Sequence, residues 1–135
     1  MTPAIDRSHA RPRLILWLGV WIILFTLTHT RAIGSGRFEF DYADTAAHCV
    51  LYFLLTWLGA RYLAVRGALT PRTLLGWAAV YAVYAVVDEW SQRFVGRTPS
   101  VFDWWADMVG VAAATLWLLL GVRRARLSEQ AVPRV

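Results

Sequence analysis

The chain has 135 residues, of which 58% are hydrophobic and 17% charged, and its formal net charge is +5. This apolar share exceeds that of an ordinary soluble domain and indicates a small integral membrane protein. The positive charges stand in short clusters between apolar stretches, so no soluble domain is left to present a basic face, which argues against nucleic acid as a partner.

Four apolar stretches approach the length of about 20 residues that a membrane-spanning helix needs. They are residues 14–30, 46–65, 71–90 and 102–122. The sequence therefore predicts an all-α, integral membrane four-helix bundle over residues 14–122, with polar tails at residues 1–13 and 123–135.

The basic residues, all fourteen of them Arg, predict the topology. Ten lie before the first stretch, at or close to the turn between the second and third, or after the fourth. Because Arg-rich loops stay in the cytoplasm, both tails should be cytoplasmic, an N-in/C-in arrangement in the inner (cytoplasmic) membrane.

The first stretch follows several Arg residues and resembles a signal peptide, but its apolar run is longer than usual and residues 30–34 offer no small-x-small cleavage site. We expect a retained anchor. In residues 38–42, aromatic and acidic side chains alternate. They predict either a short interfacial segment or a loop whose rings anchor it.

The second half of the chain contains turn and helix-capping signals. Thr70 and Pro71 are typical of an N-cap and a first helical residue. Residues 96–100 predict a turn, with Ser100 or Asp103 capping the last helix, so the last two helices should be antiparallel neighbours. Aromatic residues flank this turn at the expected outer interface, namely Trp90, Trp104 and Trp105.

Ionisable and polar residues gather at the predicted outer side. Seven of the nine acidic residues fall within residues 39–107. An ionisable group costs about 2.5–3.5 kcal/mol at the centre of a membrane helix and less near the interface, so a group of them indicates a functional site. Residues four apart share a helix face, and three such pairs occur. They are Asp44 with His48, Asp88 with Gln92, and Asp103 with Asp107, with Tyr52 and Gly110 extending two of the faces.

Each residue type suggests a role and a plainer alternative. Asp44 and Asp103 fit helix capping as well as a site. Asp88 and Glu89 stand at a helix C-terminus, where the dipole disfavours negative charge, so they need an arginine partner, a metal or a shared proton. Cys49, the single cysteine, is expected to be a packed free thiol.

His48 is predicted to be a base or nucleophile oriented by Asp44, the alternative being a hydrogen-bonded core histidine. Arg97 suits a bidentate clamp on phosphate, or is an interfacial arginine that reaches towards water. Gln92 either joins this site or bridges helices.

The joint spacing of these residues resembles the VanZ-like family of membrane proteins, over residues 41–110. The resemblance rests on three motifs: Asp44-x-x-x-His48-x-x-x-Tyr52, Asp88-Glu89-x-x-Gln92-x-Phe94-x-x-Arg97, and Ser100-x-x-Asp103-x-x-x-Asp107-x-x-Gly110. Two positions depart from it, since the family often has Lys where Thr45 stands and Asn where Asp107 stands. The first removes an anion contact and the second adds a negative charge.

The resemblance implies a cell-envelope role, because the family's founding member is associated with low-level resistance to teicoplanin. The resemblance also implies a relationship to intramembrane enzymes that exchange or hydrolyse lipid headgroups. We therefore expect an outward-facing site for a membrane lipid or a lipid-linked cell-wall intermediate. Two hypotheses stay open: a lipid-headgroup transferase or hydrolase, and a non-catalytic envelope or lipid-binding protein that lowers glycopeptide antibiotic access.

In the enzymatic hypothesis, the catalytic residues are His48, Asp44, Asp88 and Glu89, and the substrate-binding residues are Arg97, Gln92, Tyr52, Asp103 and Asp107. Such crowded carboxylates need neutralisation, either by a shared proton or by a divalent cation such as Mg²⁺. A zinc site of the common kinds lacks its Cys and His ligands. A proton or ion transporter ranks third, because ionisable residues are almost absent from the cytoplasmic halves of the helices.

Overall fold

The computed structural model describes residues 9–30 and 42–131, with side chains except those of residues 125, 126 and 128–131. Four α-helices make up this part of the chain. They are α1 (Ala10–His29), α2 (Tyr42–Val65), α3 (Pro71–Gln92) and α4 (Val101–Ala131). The prediction of an all-α four-helix protein is confirmed. Most of segment 38–42 and the outermost parts of both tails (1–8 and 132–135) lie outside the described residues.

The first and last helices extend further into the terminal tails than the sequence predicts. Helix α1 begins at Ala10 and α4 continues to Ala131, past residue 122. Residues 123–127 contain Arg, Ala and Leu, which all favour helix, and contain no Gly or Pro to stop it. Basic residues mark where a helix leaves an apolar environment, but they do not mark where the helix itself ends.

Helix α3 begins and ends on clear local signals. Thr70 is its N-cap, forms a reciprocal capping box with Thr73 and precedes Pro71, as predicted. A 3-10 turn at Arg93–Val95 follows, and Gly96 then adopts a left-handed backbone with φ 77°. The Arg97 N–H donates back to the Gln92 carbonyl at 3.1 Å. This reversal turns the chain towards α4, as the predicted turn requires.

The core of the bundle is aromatic and aliphatic. Leu24, Tyr52, Leu55 and Ala85 are completely buried, and they pack with Trp17, Tyr81 and Val111. The indole N–H of Trp17 donates to the Tyr81 hydroxyl at 3.2 Å, and this hydroxyl donates to the Leu55 carbonyl at 3.4 Å. Helices α1, α2 and α3 are therefore joined in the interior below the predicted polar site.

The distribution of polarity is inverted relative to a soluble protein. Large apolar side chains point outward on every helix, including Ile22, Val50, Val83 and Trp117. The buried residues, by contrast, include carboxylates, an imidazole and an amide. A soluble monomer rarely exposes apolar surface on this scale, whereas a bundle in lipid does so on all sides.

Among the described helices, three are long and apolar enough to cross a membrane: Ala10–His29, Tyr42–Val65 and the Val101–Arg124 part of α4. The four predicted spans thus become three on length and composition. Helix α3 is less apolar because it carries Asp88 and Glu89 near its end. That α3 is a fourth span stays a prediction, and its exposed Val80, Val83 and Val87 favour it.

Candidate functional site

His48 and Asp107 form the centre of the polar cluster. His48 Nδ1 lies 2.9 Å from Asp107 Oδ1, and the two side chains are 2% and 0% exposed. Helices α2 and α4 approach closely here because Gly110, one turn after Asp107, lies against the Cys49 carbonyl, where a Cβ atom would clash. The carboxylate accepts from Nδ1–H and holds the ring in one orientation.

This pairing corrects one prediction. The carboxylate that orients His48 is Asp107 on another helix, whereas Asp44, four residues earlier on the same helix, forms an ion pair with Arg97. Asp44 still lies near, since Asp44, His48 and Asp103 each have a ligand atom within 4.8 Å of the others. Spacing on a single helix finds residues on one face but does not show which helix supplies a partner.

Arg97 lies at the edge of the cluster. One guanidinium nitrogen binds Asp44 and another donates to the Leu27 carbonyl at 3.2 Å. The Arg97 and Asp44 side chains are 17% and 37% exposed, unlike the buried pair behind them. Arg97 is therefore the accessible cation of the site, at its mouth.

Glu89 is held by the start of the next helix. Its Oε2 accepts from the Ser100 backbone N–H at 2.8 Å, and its Oε1 accepts from Gln92 Nε2 at 3.1 Å. His48 Nδ1 lies 3.9 Å from Oε1. An unpaired backbone N–H at a helix N-terminus favours an anion, which explains how Glu89 is accommodated at the end of α3.

Arg93, an arginine close enough in sequence to pair with Glu89 or Asp88, binds neither of them. Its guanidinium lies over the Trp90 ring, 4.0 Å from the ring centroid. Trp90 is half exposed, so this cation–π pair faces outward, consistent with its expected interfacial role.

Asp103 completes the ring of acids. Its Oδ1 accepts from Thr45 Oγ1 at 2.6 Å, and its backbone N–H donates to Ser100 Oγ at 3.2 Å. Ser100, and not Asp103, is thus the side chain that caps α4. Thr45, at a position where the resembling family often has Lys, serves as a hydrogen-bond donor to Asp103.

Asp88 brings in residues that the sequence analysis missed. Its Oδ1 accepts from Thr28 Oγ1 of α1 at 3.1 Å and lies 3.7 Å from His29 Nδ1. His29 Nε2 also lies 2.8 Å from the Ser91 hydroxyl. The signal was present, since Thr28 and His29 end an apolar span on the predicted outer side.

Several buried polar atoms have no hydrogen-bond partner within the described parts of the chain. Those in the cluster are His48 Nε2, Asp107 Oδ2, Asp88 Oδ2 and the Tyr52 hydroxyl. Tyr52 is completely buried one turn below His48. Such atoms are rare in folded proteins and concentrate at functional sites, so this group marks the interior of the candidate site.

Two overlapping groups have the spacing of metal ligands, and both contain His48. One is His48 with Glu89 and Asp107, all buried, and the other is His48 with Asp44 and Asp103. Both sets combine one imidazole with two carboxylates, which are ligands of divalent cations. The residues present thus fit a cation of the kind expected from the sequence.

An open apolar groove lies between α3 and α4. Met108, Val111, Thr115 and Leu119 of α4 and Ala78 of α3 line it. Met108 is the residue after Asp107, so the groove and the cluster share this part of α4. An acyl or polyprenyl chain has the chemistry to lie there.

The structure thus brings all nine predicted site residues into one cluster or onto its edge. Comparison with known proteins adds no relative, because no family model, curated protein or solved structure matches this chain.

Proposed function

We propose that the protein is a multi-pass membrane protein of the VanZ-like type, in which the polar cluster acts on the phosphate-bearing headgroup of a membrane lipid or lipid-linked cell-wall intermediate. The observation that carries this proposal is the buried His48–Asp107 pair behind an accessible Arg97. A reactive imidazole and a phosphate-binding cation at one membrane face suit a headgroup better than a solute.

Each residue would have a distinct role. Arg97 would exchange part of its contact with Asp44 for the phosphate oxygens, which its planar guanidinium binds bidentately. His48 would transfer a proton through Nε2, the ring nitrogen that Asp107 leaves without a partner. Buried carboxylates around it would stabilise the positive charge of a protonated imidazole.

The groove supports a lipid over a water-soluble phosphate. The groove is lined by apolar residues and includes Met108, which follows Asp107 in the sequence, so it would suit the apolar chain of an amphiphilic molecule whose headgroup lies at the cluster. The Arg distribution in the sequence supports an N-in/C-in orientation in the cytoplasmic membrane, in which the site would lie on the outer face.

Reporter fusions test that orientation. A green fluorescent protein at the C-terminus should fluoresce, and alkaline phosphatase at the same point should be inactive. The opposite pair of results would move the site to the cytoplasmic face.

A second candidate function is non-catalytic. Interhelical hydrogen bonds within the cluster join α1 to α3 and α2 to α4, through Thr28–Asp88, Thr45–Asp103 and His48–Asp107. A polar network of this kind also stabilises a bundle. In this reading the protein binds a headgroup without changing it and lowers the access of a glycopeptide antibiotic.

Mass-spectrometric lipid profiling of membranes that contain wild-type protein or the His48→Gln variant separates the two candidates. The matched control is Val50→Ala, which changes an exposed residue of the same helix. A headgroup change that occurs with wild type and Val50→Ala but not with His48→Gln supports the enzyme. Identical profiles from equally folded proteins would overturn it in favour of the binding function.

A further inference from the structure

The acidic residues of the cluster outnumber its cations. The cluster contains five carboxylates but one arginine, Arg97, and two histidines, of which His29 lies at the edge. The carboxylates are those of Asp44, Asp88, Glu89, Asp103 and Asp107. Arg97 is already paired with Asp44, and Arg93 faces outward over Trp90. Several carboxylates therefore share the bundle interior without an arginine of their own, in a place where water cannot screen them.

Within this cluster, His48, Glu89 and Asp107 have the geometry of a cation site. One ligand atom of each lies within 4.8 Å of the other two, and the three residues come from α2, α3 and α4. His48 Nδ1 lies 2.9 Å from Asp107 Oδ1 and 3.9 Å from Glu89 Oε1. Bonds of about 2.1 Å in an octahedral site place neighbouring ligand atoms about 3 Å apart, so these separations need little adjustment.

An independent observation points to a ligand at the same place. Asp107 is completely buried, yet its Oδ2 atom has no hydrogen-bond partner in the described residues. A buried carboxylate oxygen without a donor is costly, and a bound cation satisfies it.

We propose that His48 Nδ1, Glu89 and Asp107 bind one divalent cation of the Mg²⁺ and Mn²⁺ class. Two carboxylates favour these oxygen-seeking ions, and a single imidazole is a ligand that Mn²⁺ accepts readily. Three protein ligands leave open positions, which water or a phosphate oxygen can fill.

The cation changes the part that His48 plays. Coordination through Nδ1 leaves the proton of the neutral imidazole on Nε2, so His48 would donate a hydrogen bond to a headgroup oxygen and would not act as a base. Arg97 at the mouth and the cation behind it would then bind opposite sides of the same phosphate. This last step rests on the proposed function, but cation binding itself does not.

Mn²⁺ provides the test, because its electron paramagnetic resonance signal reports binding without any substrate. The full chain in detergent, stripped with EDTA, is titrated with Mn²⁺ alongside Glu89→Gln, Asp107→Asn and the control Val50→Ala, which changes an exposed residue of α2. We expect one saturable Mn²⁺ in the wild type, retained by Val50→Ala and weakened more than about tenfold by the other two variants.

A second measurement does not depend on how the carboxylate variants fold. The chain contains three histidines, and ¹⁵N-histidine labelling of the wild type should show a hyperfine coupling to bound Mn²⁺ that persists in His29→Gln. Absence of saturable binding, loss of the coupling in His29→Gln, or wild-type affinity for Mn²⁺ in Glu89→Gln and Asp107→Asn would overturn the cation site. Mn²⁺ binding without any lipid change would overturn the headgroup proposal alone.

Discussion

Gly110 of α4 lies directly against the backbone carbonyl of Cys49 of α2, and no side chain fits between them. Cys49 is the residue after His48, and Gly110 is one turn from Asp107. The absence of a side chain at Gly110 therefore sets how closely the two halves of the central His48–Asp107 pair can approach.

A Gly110→Ala substitution should separate α2 from α4 locally. We expect a loss of about 1–3 kcal/mol in the free energy of unfolding, the usual cost of overpacking, together with loss of the His48–Asp107 hydrogen bond. Gly121→Ala on the same helix is the control, because nothing lies within 4 Å of a Cβ atom there. Thermal unfolding in detergent compares the stabilities of the two variants, and equal stabilities would contradict the close approach of α2 and α4.

The identity of the carboxylate that orients His48 can be tested directly. In protein stripped of metal with EDTA, Asp107→Asn should change the ¹⁵N chemical shifts of the His48 ring, because the Nδ1–H group loses its charged acceptor. Asp44→Asn should leave these shifts nearly unchanged, since Asp44 binds Arg97. NMR of ¹⁵N-histidine-labelled protein distinguishes the two, and a larger effect from Asp44→Asn would restore the partner predicted from spacing.

Thr28→Val should destabilise the bundle by removing the hydroxyl that donates to Asp88. Asp88 Oδ1 would then lose its hydroxyl donor, at a cost of about 1–3 kcal/mol. Thr26→Val is the matched control, because the exposed Thr26 hydroxyl donates to the Ile22 carbonyl of its own helix. If the two variants unfold at the same temperature, the Thr28–Asp88 bond contributes nothing.

Arg97→Lys tests the phosphate clamp against simple charge. A lysine keeps the charge but cannot bind two phosphate oxygens in a planar fork, so we expect the lipid change made by the wild type to fall at least about tenfold. Arg93→Lys is the comparison, because its guanidinium stacks on Trp90 away from the cluster. Equal losses in both variants would indicate a general effect of interfacial arginines.

Local signals in the sequence predicted much of the architecture. The four apolar stretches predicted the helices, and Thr70 with Pro71 predicted where α3 begins. Capping and hydropathy depend on residues that are close in sequence, so both can be recognised from a short segment alone.

What the sequence could not provide is the pairing between helices. Asp44 and Asp107 are equally good partners for His48 by residue type. Which of them binds His48 depends on the close approach of α2 and α4 at Gly110. Thr28 and His29 were missed for the same reason, because their importance comes from Asp88 and Ser91 on another helix.

The connection between α3 and α4 has a mechanical consequence. Arg97 binds Asp44 at the mouth, and three residues later the Ser100 N–H group holds Glu89 in the interior. A segment this short, attached at both points, cannot yield at one of them without straining the other. A molecule that draws Arg97 away from Asp44 would therefore also shift the start of α4. Binding at the exposed edge of the cluster would in this way be transmitted to the buried Glu89.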